Sequence, residues 1–413
     1  MKWNPKSYVL ISLFNLVLVA VLGVIMRYKI AYDFPYLSQK QLQHAHSHFA
    51  FLGWISQSLY VLMVHQLVQR GITAHLKQYN QLLRVNLILS YSMLVSFFVS
   101  GYSPVSIALS TLSIVNSVFF AYYYFRDLQQ PAAYNDSVPW FKAGIWFQLG
   151  SSLGTFYLAY MMASHQFNEH WYLASVYYYL HFQYNGFFSF VCLGLFVSHL
   201  PTLVPNYRYR NSVFKLFFWS CIPAYFLSTL WAKLPLWLYG LVILAAMTQV
   251  WAWFLFLRDI AKSITTGHTM TRFQKILYWF VAIAFSTKLL LQLGSTVPEI
   301  SKLAFGFRPV VIAYLHLILL AVISVFLLAY FQSSELYPRP SKINPALFLF
   351  ISAVLCNELA LAVQGIASFC YVPIPSINAL LFIVSLCLLA GTIWMFFSQR
   401  RSSKPPTMHL NQN

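Results

Sequence analysis

Charge is what this chain has least of: 8% of its 413 residues are charged, and only eight of those are Asp or Glu against 26 Lys and Arg. A water-soluble domain carries roughly a quarter of its residues charged, so none of any size fits here. Metal-ligand spacing is missing too, since the five cysteines, Cys192, Cys221, Cys356, Cys370 and Cys387, fall singly within or at the ends of apolar runs. They read as small apolar residues facing lipid or a neighbouring helix. No segment repeats at a period of about 20–50 residues, and no inverted symmetry relates the two halves. Long connections are also lacking; none exceeds about fifteen residues, short for a folded insertion. A net charge of +18 without a solvated basic domain gives no footing for nucleic acid.

What is present is apolar length. The chain is 59% hydrophobic and 19% aromatic, and runs near the ~20 residues that cross a bilayer recur throughout. Bounded by charge, Pro or Gly, they give twelve expected spans at 8–26, 41–68, 82–102, 104–125, 139–163, 170–200, 212–232, 235–257, 273–294, 308–331, 345–366 and 374–397. The fold expected is an all-α polytopic membrane bundle over residues 1–399, embedded in lipid. The polar, Pro-containing end 'RRSSKPPTMHLNQN' over 400–413 reads as a disordered cytoplasmic tail.

Charge placement orients the bundle. With the N-terminus inside, 19 of the 26 Lys and Arg fall on the inner side, from Lys2 and Lys6 through Arg70, Arg126, Arg210 and Arg258 to Arg400 and Lys404. Arg27, Lys29, Lys40, Lys233, Lys302 and Arg308 fall outside, and Lys288 lies within a span. The positive-inside rule therefore puts both termini in the cytoplasm of an inner-membrane protein. Lys2 and Lys6 before an apolar run could open a signal peptide, but the run has no small-residue cleavage site and is long enough to span. It reads as the first helix.

Most of the twelve histidines mark loops and helix ends, where hydration accounts for them. His44, His46, His48, His181 and His316 do not. They sit on the second, sixth and tenth spans, which all run from outside to inside. Counted from the helix starts, His48, His316 and His181 lie roughly 10, 12 and 16 Å deep at 1.5 Å per residue. Imidazoles at one depth on three helices are what metal or heme ligation needs. The plain alternative for each is a hydrogen bond to a Ser, Tyr or backbone carbonyl, and for His181, among Tyr177, Tyr178 and Tyr184, it is the simpler one. In 'HAHSHFAFLGW' positions 44 and 48 share a helix face, whereas His46 points away by about 200°. Gly53 in that segment would let a flat macrocycle or a helix come close.

Twelve spans with histidines on the second, sixth and tenth resemble subunit I of the heme-copper oxidase superfamily, which includes cytochrome oxidases and nitric-oxide reductases. 'HAHSHFAFLGW' is similar to its second-span segment, 'YLHFQYNGFFSF' to its sixth and 'AYLHLILL' to its tenth. The resemblance implies that His48 and His316 are the axial ligands of a low-spin heme b, with Arg308 as a candidate for a propionate. It implies electron transfer in a respiratory chain, from a quinol or a redox partner subunit, with oxygen or nitric oxide as the acceptor. His181 would stand beside a second site, with His44 or His46 as partner, holding copper or non-heme iron. That second site is altered or missing, because the tenth span has one His with Tyr314 two residues before it, the seventh, 'SVFKLFFWSCIPAYFLSTLW', has none, and 'ASFCYVPIP' lacks the arginine pair usual there.

Other polar residues fit two readings. Lys288, Gln292, Ser295 and Glu299 recur at helical spacing and could lead protons inward. Alternatively Lys288 pairs with Glu358, which removes much of the cost of either buried charge. A proton-coupled transporter using Lys288, Glu299 and Glu358, and a non-catalytic sensor or assembly protein on the same fold, are the rival functions.

Overall fold

The computed structural model describes residues 3–203, 210–264, 271–334, 336–337 and 343–402. Beyond residue 402 the expected tail lies outside the described residues, as do Lys2, Arg208, Arg339 and Lys342. Among the described residues no strand occurs, and helical rods follow one another along the chain.

The rods are α1 (Pro5–Ala31), α2 (Gln39–Gln69), α3 (Leu76–Ser100), α4 (Pro104–Asp127), α5 (Val138–Ala163), α6 (Glu169–Thr202) and α7 (Asn211–Cys221). They continue as α8 (Leu236–Ile264), α9 (Arg272–Gly294), α10 (Arg308–Ser333), α11 (Ile343–Phe369) and α12 (Ile377–Ser402). A short helix, Pro298–Gly306, precedes α10. Local sequence sets their starts. Asn4, Ser38 and Asn168 cap α1, α2 and α6 by accepting from backbone N–H groups, and capping boxes at Ser103 with Ser106 and at Thr271 with Gln274 open α4 and α9. Gly101, at φ +61°, stops α3 in a conformation other side chains resist.

Ten of the rods are long and apolar enough to cross a membrane, fewer than the twelve spans expected. The fifth expected span forms α5, 26 residues long but polar along one side, where Gln148, Ser151 and Ser152 are buried. The seventh is interrupted: after Cys221 the backbone tightens into a 3₁₀ segment, Pro223–Thr229, because Pro223 offers no amide hydrogen.

The rods close into a ring as α12 packs against both α1 and α11, and α2, α6 and α10 are the elements that meet in the middle. That central position is why α2 and α6 are the most buried of the spans. α5 reaches α6 through glycines: a Cβ on Gly154 would lie 2.6 Å from the Ser175 carbonyl, and one on Gly186 would lie 2.6 Å from Phe147 Cβ.

All three central helices change pitch at the same place. Directly after His181 and His316, and one residue after His48, come π-helical turns at Phe182–Phe188, Leu317–Ser324 and Ala50–Ser56. A π turn holds an extra residue and loosens its backbone hydrogen bonds. Each turn has a side chain to take up a carbonyl: Asn15 Nδ2 donates to Gly53 O at 2.6 Å, Ser189 Oγ to Tyr184 O at 2.6 Å and Ser324 Oγ to Leu319 O at 2.8 Å.

Candidate functional site

The first turns of α2 send their histidines two ways. His44 and His48 face α3: the His48 ring stacks on Phe97 with centroids 4.2 Å apart and its Nε2 shares a hydrogen bond of 3.2 Å with the Tyr102 hydroxyl. His44 meets Tyr102 edge-on at 4.5 Å. His46 faces α1. Its Nδ1 lies 3.1 Å from the Val19 carbonyl, and the imidazole edge rests where Gly23 has no side chain, a Cβ there being 3.6 Å from His46 Cε1.

On α10, His316 Nδ1 lies 2.9 Å from the carbonyl of Ile312, one turn earlier. A carbonyl oxygen can only accept, so both His46 and His316 carry their proton on Nδ1 and present Nε2 as a lone pair. That is the tautomer a ligating imidazole needs, held by the kind of carbonyl contact that orients metal-bound histidines. Neither Nε2 has a hydrogen-bond partner among the described residues. The two rings are within electrostatic reach of each other, and both keep some accessible surface despite being enclosed by helices.

The expected pair is His48 with His316; the structure turns His48 toward Phe97 and Tyr102, and it is His46, about 200° around the helix, whose charge reaches His316. The room expected at Gly53 is also taken: a Cβ there would meet the ring of Phe49 at 2.8 Å. Gly23 on α1 leaves the space instead.

Charge near the two histidines comes from residues that sequence alone assigns elsewhere. Arg27, one helical repeat beyond Val19 and Gly23 on the same face of α1, acts on both His46 and His316. Glu358 of α11 is the acidic residue within electrostatic reach of it, without an ion pair between them among the described residues, and accepts from Asn357 Nδ2 at 3.1 Å. The spacing of positions 19, 23 and 27 is the available signal, masked because Arg27 sits near a helix end and reads as a loop charge. Arg308, expected near a propionate, is exposed and donates to Gln43 Oε1 at 2.7 Å.

Lys288 forms no ion pair with Glu358 among the described residues. It is buried on α9 with its ammonium nitrogen 5.3 Å from the Phe285 ring centroid and with Cys221 and His181 as titratable neighbours. Gln292, one turn on, is buried too. The stripe breaks there, since α9 ends at Gly294 and Glu299 stands exposed in the first turn of the separate short helix.

His181 joins α6 to α7. Its Nε2–H donates to the Cys221 carbonyl at 2.9 Å, and its Nδ1 accepts from Asn185 Nδ2 at 3.1 Å. Both nitrogens are engaged, so as placed it offers no lone pair to copper or iron. His44 and His46 lie on other faces, and no group of three or more His, Cys, Asp or Glu side chains suited to a metal ion occurs among the described residues. An apolar cavity between α6, α8, α9 and α10, walled by Phe196, Trp253, Phe256, Phe285 and Phe326, borders none of these histidines. Comparison with protein-family models and with curated proteins gives no match, so any kinship rests on the residues themselves.

Proposed function

We propose that this chain is a heme-binding membrane protein of electron transfer, built like subunit I of the heme-copper oxidases, with α5 and the interrupted segment 211–232 joining the ten apolar rods as spans and both termini cytoplasmic in an inner membrane. The observation that carries the reading is the pair His46 and His316: each is fixed by Nδ1 on a backbone carbonyl, each has Nε2 without a hydrogen-bond partner among the described residues, and the two are close enough for the charge of one to act on the other. The donor set fits a bis-imidazole heme b, which supplies reversible one-electron transfer without an open position for a gas. The Val19 and Ile312 carbonyls hold the rings in the ligating tautomer. Gly23 lies beside one of them, and the Arg27 charge favours acidic groups on a ligand. The π turns that follow within four residues of His46 and directly after His316 support the reading further, since such turns collect at functional sites.

The engaged nitrogens of His181 favour electron transfer or redox sensing over reduction of oxygen or nitric oxide at a heme-copper centre. Electrons would come from a quinol or a redox partner subunit. The test is a reduced-minus-oxidised visible spectrum of the purified chain. A low-spin b-type signal at one heme per chain is the expected result; protein that stays free of heme when heme is supplied during expression would reject the reading and leave a transporter or a sensor.

A further inference from the structure

The cavity between α6, α8, α9 and α10 lies away from the paired histidines and has a volume of about 130 Å³. Its lining follows α9 from Lys275 to Phe285, a rise of roughly 15 Å at 1.5 Å per residue, so the space is long and narrow. Most of the wall is aromatic, and its polar groups are already engaged. Ser189 Oγ donates to the Tyr184 carbonyl at 2.6 Å, Trp253 Nε1 donates to Ser286 Oγ at 2.8 Å, and the Tyr278 and Ser333 hydroxyls share a hydrogen bond of 2.9 Å. A space with so little to hold water favours an apolar occupant; an engineered apolar void of about 150 Å³ stays dry and takes up benzene.

Two features separate this slot from a closed void. Trp279, 52% exposed on α9, lines it together with the partly exposed Leu257 and Ile260 of α8, so it opens along the seam of those two helices toward lipid. Lys275, in the first turn of α9, is the charged residue among the described residues of the lining. Its ammonium and the positive end of the α9 dipole both favour an anion at that end. The other end lies inside the bundle, where Phe285 is buried. One end of the slot is thus cationic and close to the helix terminus, and the other is apolar and deep. An alkyl chain with an acidic head is the complementary chemistry.

We propose that this slot binds a single unesterified fatty acid, with its carboxylate at Lys275 and its chain laid along α9 toward Phe285. A lone chain with one terminal charge matches one narrow slot and one lysine, whereas a diacyl lipid would leave its glycerol esters and second chain outside. The chain supplies the contacts that the aromatic walls do not make across the slot, and it enters from the bilayer beside α8 and α9. This site does not depend on heme.

Laurate carrying a diazirine at its chain end, photolysed with the purified full chain in phosphatidylcholine nanodiscs, tests the assignment by where it attaches. Saturable labelling around Cys192 and Phe285 is expected, displaced by unlabelled laurate but not by dodecanol. Lys275→Met should weaken it on the order of tenfold. Ala282→Trp and Cys192→Phe, which fill the slot from opposite walls, should each abolish it, with thermal melting showing which variants fold. Labelling confined to the exposed Ile283 and Leu290 of α9 overturns the proposal, as does undiminished labelling of either folded slot-filling variant. Displacement by dodecanol as strong as by laurate overturns it too, because the lysine would then recognise nothing. Loss of laurate labelling when phosphatidylglycerol is added to the nanodiscs would assign the slot to a membrane lipid and reject the free acid.

Discussion

Trp54 Nε1 donates to Ser324 Oγ at 2.9 Å, so the π turn of α2 is tied to the π turn of α10 by one buried hydrogen bond. The bond sets the two helices that carry His46 and His316 in register. Trp54→Phe removes the donor but keeps an aromatic ring, and a single buried bond contributes about 1 kcal/mol. Stability to thermal unfolding in detergent should fall by that amount, and the low-spin heme signal should broaden in electron paramagnetic resonance as the ligand helices gain freedom.

Ligand identity is decided by three substitutions measured together. His46→Ala and His316→Ala should each abolish the low-spin visible spectrum, while His48→Ala keeps it because that ring is stacked on Phe97 and bonded to Tyr102. His181→Ala should keep it too. A spectrum lost with His48→Ala and kept with His46→Ala would restore the pairing expected from the sequence.

Arg27 should act on the cofactor's potential. A nearby positive charge disfavours the ferric state, so Arg27→Met lowers the midpoint potential. A shift on the order of 60 mV, tenfold in a one-electron equilibrium, should appear in a redox titration. An unchanged potential would show that Arg27 does not face the heme.

The crossing of α5 and α6 gives a stability test free of any cofactor. A Cβ at Gly154 would sit 2.6 Å from the Ser175 carbonyl and 3.1 Å from the Tyr179 amide, both backbone atoms that cannot turn aside, whereas at Gly150 nothing lies within 4 Å. Gly154→Ala should destabilise the protein by about 1–3 kcal/mol in thermal or denaturant unfolding. Gly150→Ala should be neutral or slightly stabilising, since alanine is the better helix former.

Much of the architecture is open to sequence reasoning because membrane insertion obeys one-dimensional rules: apolar length and the residues that cap helix ends. α1, α4 and α9 begin within a few residues of where charge, Pro and Ser or Thr mark them. The site is legible only in part. Residue type and depth pick out α2, α6 and α10, but which of three neighbouring imidazoles faces inward depends on the rotation of α2. Gln39, Gln43 and His46 fall on one side of its first turns and Gln41, His44 and His48 on the other, so polarity alone does not say which side meets the bundle. Distance in sequence hides the rest. Arg27 and Glu358 lie on helices at opposite ends of the chain, and only the closure of α12 onto α1 brings their neighbourhoods together.

The π turns make each central helix behave as two rods joined by a swivel. An extra residue in a turn advances the downstream half by about 100° relative to an unbroken α-helix. The face that points a histidine into its chamber is thereby uncoupled from the face that packs Gln66 against Tyr330 further down. The histidine-bearing halves can therefore be retuned by mutation without refitting the halves that hold the bundle together, a separation of chemistry from scaffold within single helices.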